Sequence, residues 1–95
     1  DAEKYDSALL AKTYNQYAVC LLHGNDYEGA DEVCQKGLAL GIMDMDASLS
    51  FNRIVALEYL GKWEEAYNTA KTYVTKYPDD EKGIREYTFL ESRKK

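Results

Sequence analysis

The chain has 95 residues, which make one small domain, or one piece of a larger chain, with a modest buried core. Apolar residues at 45% and charged residues at 31% are ordinary for a soluble globular protein. The net charge of −5 comes from 12 Lys and Arg against 17 Asp and Glu. It offers no basic face for nucleic acid, and no apolar run approaches the ~18 residues that span a bilayer.

Nine tyrosines require a packing or binding role, and the single proline, Pro78, leaves long stretches free to be helical. The one basic cluster, Arg93-Lys94-Lys95, reads as a helix-dipole and solubility device. No charged-then-apolar signal segment is present. The chain starts "DAEK" without Met, which leaves room for an export signal or lipid anchor removed upstream. Cys20 and Cys34 lack a second pair, a CxxC or a neighbouring His, so no zinc site is expected. They read as two small buried apolar side chains. Consecutive antiparallel helices would also let them approach, and a bond between them would suit an exported protein.

Helical spacing of Leu9, Leu10, Tyr14, Tyr17, Ala18, Leu21 and Leu22 predicts a first helix from about Asp6 to His23, capped by Asp6 or Ser7. Gly24 and Asn25 suit its stop. Asp26 then caps a second helix through Tyr27, Ala30, Val33, Cys34, Gly37 and Leu38 to about Leu40, closed by Gly41. "IMDMDAS" has no clear periodicity and reads as a connection. Asp46 or Ser48 opens a third helix whose apolar side is Leu49, Ile54, Ala56, Leu57 and Leu60, stopped by Gly61. The fourth begins near Lys62 and carries Trp63, Ala66, Tyr67, Ala70, Tyr73 and Val74; Pro78 ends it by disfavouring helical backbone at Tyr77. Asp79 or Asp80 caps a fifth helix, with Ile84, Tyr87 and either Leu90 or Glu91 facing inward. Short loops make neighbouring helices antiparallel.

One phrase occurs twice. "NDYEGADEVCQKG" and "GKWEEAYNTAKTY" align Tyr27 with Trp63, Ala30 with Ala66, Cys34 with Ala70 and Gly37 with Tyr73, always 36 residues apart. With Tyr14, Tyr17, Ala18 and Leu21 ahead of the first copy, and Gly61 and Pro78 around the second, the chain resembles the tetratricopeptide repeat family, whose unit is a helix–turn–helix of about 34 residues. The resemblance covers about residues 11–80. It departs where Gly41-Ile42 replaces a terminal proline, where two extra residues enter the connection, and at Ser50, Arg53 and Ile54, where large, large and small residues are usual.

The resemblance implies an all-α, right-handed superhelical stack of antiparallel hairpins with about five helices. Repeat 1 would span about 11–44, repeat 2 about 47–80, and a capping helix about 81–95. Ala18, Ala30 and Ala66 would let helices approach closely, and Tyr27 and Trp63 would plug the hairpin turns. It further implies a concave groove that binds a peptide or partner protein. Lys12, Asn15, Val19, Leu22 and His23 would line it from the first helix, and Ser48, Phe51, Asn52, Val55, Glu58 and Tyr59 from the third, with Lys82 and Arg85 at the rim. Alternatively, Phe51, Val55 and Tyr59 are core residues of a rotated third helix, or are covered by another domain or by a second copy in a homodimer. Chaperone-binding relatives clamp a carboxylate with Lys, Asn, Asn, Lys and Arg. Only Asn52 and Lys82 match here, Asn15 and Val19 stand where Lys and Asn are needed, and Glu86 stands where Arg is needed, so no such clamp is expected.

No GxSxG, P-loop, HExxH or GxGxxG occurs, and "GIMDMD" lacks a calcium loop's spacing, glycine and closing Glu. His23, the lone histidine, sits at a helix end. The expectation is a non-enzymatic interaction module without metal or cofactor. The alternative is a structural or oligomerisation segment of a larger bacterial protein, which would be cytoplasmic or, given a removed signal, a surface lipoprotein.

Overall fold

A computed structural model describes residues 2–94. It contains α1 (Ala2–His23), α2 (Tyr27–Leu38), α3 (Met43–Tyr59), α4 (Trp63–Lys76) and α5 (Glu81–Lys94), with no strand among the described residues. Lys95, the last member of the basic cluster, lies outside them. The fold is all-α, a stack of helical hairpins in which each helix packs on the next and α1 also packs on α3. The extents are 47 × 30 × 17 Å. The shortest matches two helix layers, because packed helices lie about 8–10 Å apart.

The duplicated phrase is a duplicated structure. Asn25 and Gly61, 36 residues apart, both hold a left-handed backbone, with φ of 65° and 76°. Around the first, Asp26 N–H bonds Leu21 O at 2.8 Å and Asn25 N–H bonds Leu22 O at 3.1 Å. Around the second, Lys62 N–H bonds Leu57 O at 2.9 Å and Gly61 N–H bonds Glu58 O at 3.0 Å. Both helices thus end in the same double-bonded stop, which satisfies carbonyls that a bare helix end leaves open. Asp26 then accepts from Gly29 N–H at 2.9 Å, the expected cap of α2. Asp80 caps α5 by accepting from Lys82 and Gly83 N–H, and also receives the Tyr73 hydroxyl.

The core forms two clusters. Ala18, Val33, Cys34 and Leu49 join α1, α2 and α3. Ile54, Leu57, Ala66, Tyr67, Ala70, Tyr73 and Leu90 join α3, α4 and α5. Ala18, Ala30 and Ala66 are fully buried, so helices come together where the side chains are smallest. Arg53, out of place by the repeat pattern, crosses the seam between α2 and α3. Its Nε donates to Oδ1 of the buried Asp31 at 2.8 Å, and its guanidinium lies 3.9 Å from Glu65. The Tyr27 and Trp63 rings sit beside their own turns and also reach forward to the following helix. Tyr27 stacks on Tyr59 with centroids 4.5 Å apart, and Trp63 meets Phe89 edge to face at 6.4 Å.

Several boundaries and faces differ from the sequence reading. α1 runs through Asp6 and Ser7, so neither caps it. Leu9, Leu10 and Tyr17 are exposed, because α2 and α3 cover only the side that bears Ala11, Tyr14 and Ala18. α2 ends at Leu38 rather than Leu40. α3 starts at Met43 instead of Asp46 or Ser48, so most of "IMDMDAS" is helix. Asp44 and Asp46 complement the dipole of its first turn. Asp46 also accepts from Lys76 Nζ at 2.9 Å and the Tyr77 hydroxyl at 2.6 Å, which ties the turn to α4. Burial alone would raise the Asp46 carboxyl, but those two hydrogen bonds outweigh it and hold it below the ordinary carboxylate value.

Both cysteines are free. Cys34 is buried, and desolvation together with the Asp31 carboxylate pushes its thiol up to about 12. Cys20 is exposed on the uncovered side of α1, contrary to the expectation of two buried thiols. In α5, Leu90 faces inward and Tyr87 is half-buried, but Ile84 is exposed and Gly83 takes the inner place. A Cβ at Gly83 would overlap the Tyr73 ring, so α5 sits this close only because that side chain is missing.

Gly83→Ala is therefore expected to cost about 1–3 kcal/mol, the range for overpacking a filled contact. Thermal unfolding followed by circular dichroism measures it. Ile84→Ala, one residue on and solvent-facing, is the control and should stay within about 0.5 kcal/mol of the parent.

Candidate functional site

An open cleft of about 460 Å³ lies between α1, α3 and α5. Helical spacing gathers its walls. Val19, Leu22 and His23 share the last turns of α1, and Phe51, Asn52, Val55 and Tyr59 recur along one side of α3. Lys82 closes the cleft from α5, and Asn25 and Tyr27 close it from the first hairpin turn.

Of the residues predicted to line a groove, Val19, Leu22, His23, Phe51, Asn52, Val55, Tyr59 and Lys82 all border this cleft. Asn15 joins through its side chain, since Asn52 Nδ2 donates to Asn15 Oδ1 at 2.8 Å. Lys12, Ser48 and Arg85 are exposed and do not border it. Glu58 lines a separate recess. Asn25 and Tyr27 were missed, although the duplicated aromatic at the start of α2 was their signal. The Tyr27 hydroxyl donates to Asn25 Oδ1 at 2.8 Å, which fixes the ring against the turn.

The choice between groove and core for Phe51, Val55 and Tyr59 divides by residue. Phe51 does both: it packs on the second core cluster, meets Tyr73 edge to face at 6.0 Å, and still borders the cleft. Lys82 Nζ lies 4.2 Å from its ring centroid, a cation–ring contact. Val55 is half-buried. Tyr59 is 65% exposed, supported only along one face by Tyr27, and is not a core residue.

One electrostatic feature was invisible in the sequence. Glu58 of α3 faces Glu86 of α5 across their seam. Desolvation, followed by the hydrogen bond and charge of Glu86, raises Glu58 to about 8. Two close carboxylates cannot both ionise cheaply, so near neutral pH the pair holds one proton. Among the described residues no group of three or more His, Cys, Asp or Glu is disposed to hold a metal ion. Nor, among the described residues, is any helix long and apolar enough to cross a membrane.

The folded chain binds this proton more tightly than the unfolded chain, whose glutamate titrates near 4.5. Stability should therefore fall as pH rises from about 4.5 through about 8, because the native state must either keep or lose a proton that the unfolded state has already released. Urea unfolding across that range measures the slope. Glu58→Gln should flatten it.

Comparison with protein-family models, with curated proteins and with solved structures found no match to this chain.

Proposed function

We propose that the chain is a tetratricopeptide-like, non-catalytic interaction module that takes a peptide or a segment of a partner protein in the cleft between α1, α3 and α5. One observation carries this reading: an open cleft with an apolar floor of Val19, Leu22, Phe51 and Val55 beside the Asn15–Asn52 amide pair. Apolar anchors seat side chains, and side-chain amides satisfy the peptide backbone, which is what recognition of an extended segment requires. The recurrence of the same helix stop 36 residues apart supports the repeat assignment.

Selection of displayed peptides against the whole chain tests the reading. Enriched peptides are expected to bind at micromolar affinity. Val55→Glu should weaken them at least about tenfold, or roughly 1.4 kcal/mol, without lowering the melting temperature by more than a few degrees. Asn52→Ala should weaken them less. Selected peptides that bind Val55→Glu as tightly as the parent would show that the cleft is not the site.

A second reading, an assembly segment of a larger protein, draws on a different surface. Leu9 at 52% and Tyr17 at 53% exposure leave an apolar strip on the outer side of α1. Light scattering separates the two. A monomer favours the module, whereas a dimer dispersed by Leu9→Glu/Tyr17→Glu favours assembly.

A further inference from the structure

Beyond Tyr59, where α3 turns into α4 and meets α5, lies a recess of about 210 Å³ lined by Glu58, Tyr59, Trp63 and Phe89. Three of its four lining residues are aromatic and the fourth is Glu58. Trp63 and Phe89 stand at 69° to each other, and Tyr59 is braced from behind by the nearly parallel Tyr27 ring. Tyr59 and Phe89 are 65% and 46% exposed, far more than packing alone requires of large rings. Behind the recess wall, Glu58 Oε2 is buried and has no hydrogen-bond partner of its own. A buried carboxyl oxygen without a donor is costly and calls for one, or for a cation.

The chain already shows what these rings accept. The Arg93 guanidinium carbon lies 4.8 Å from the Trp63 centroid and 5.8 Å from that of Phe89. The negative faces of aromatic rings attract cations, and most strongly those that give up water easily, such as guanidinium and methylated ammonium groups.

We propose that the recess formed by Glu58, Tyr59, Trp63 and Phe89 is a binding site for one organic cation, the guanidinium or methylated ammonium head of a basic side chain. The rings surround the head and Glu58 supplies the opposite charge. The site stands whether or not the neighbouring cleft takes a peptide. The charged group that faces Glu58 is Glu86 of α5; Arg93 rests on the Trp63 and Phe89 rings, and Lys82, one turn before Glu86, is engaged on Phe51. An arriving cation favours the doubly ionised Glu58–Glu86 pair, so binding releases a proton and strengthens as pH rises through about 8.

The test uses the full chain and three probes: N-acetyl-arginine amide, N-acetyl-trimethyllysine amide and the neutral N-acetyl-norleucine amide. Trp63 is the only tryptophan, so its fluorescence reports the recess directly. NMR shifts of the Tyr59 and Phe89 rings localise the probe. One of the two cations should bind at least about fivefold more tightly than the neutral probe, and the tighter one names the head group. Phe89→Ala and Glu58→Gln should each weaken it about three- to fivefold. Glu58→Gln has the shape of the protonated carboxyl and should keep the parent's melting temperature near neutral pH, so it decides the matter even where Phe89→Ala fails to fold. Equal binding of cationic and neutral probes, or cation binding unchanged in Glu58→Gln, would overturn the assignment.

Discussion

The helix α3 has to serve three surfaces at once. Leu49 completes the first core cluster, Ile54 and Leu57 complete the second, and Phe51, Asn52, Val55 and Tyr59 face the cleft. Neither hairpin can bury its apolar side alone, so the fold exists only while α3 holds one rotation that satisfies all three. The Arg53–Asp31 pair fixes that rotation. Asp31 is buried, and a buried carboxylate without its partner is strongly destabilising. Turning or sliding α3 by one residue would strand it. The pair therefore specifies register more than it adds stability, and Lys76 and Tyr77, gripping Asp46, fix the other end of the same helix.

That constraint also shapes the cleft and the recess. With α3 held, its Tyr59 meets Tyr27 and its Glu58 meets Glu86, and the cleft and the smaller recess become neighbours that share Tyr59. The aromatic rings at the starts of α2 and α4 extend across the seams, Tyr27 to α3 and Trp63 to α5. They serve as joints between successive units and as walls of the sites beside those joints. The Glu58–Glu86 contact costs stability once pH passes about 8, where both carboxyls ionise in a partly desolvated seam. A binding site commonly retains groups that an optimised core would replace, and the exposed rings beside this pair belong to the same surface.

Much of this was readable from local chemistry. The 36-residue offset located the starts of α2 and α4, and Asn25, Gly61, Asp26 and Asp80 marked stops and caps whose bonds reach no further than the adjoining turn. Most of the cleft was readable too, because residues four apart on one helix must share a side whatever that helix packs against.

What the sequence by itself determined was therefore helix number, order, most ends, and which side chains travel together. The tertiary structure decided the rest. α3 begins at Met43 with no side-chain cap, so its first turn depends on Asp46 reaching residues 30 and 31 positions away. The rotation of α5 follows from Gly83, where an absent side chain leaves no apolar signal yet allows the closest contact. Cys20 and Cys34 look alike in the chain, and only the neighbours of each helix separate an exposed thiol from a buried one. Burial and charge pairing depend on groups distant in sequence, and periodicity along one helix carries no information about what stands opposite.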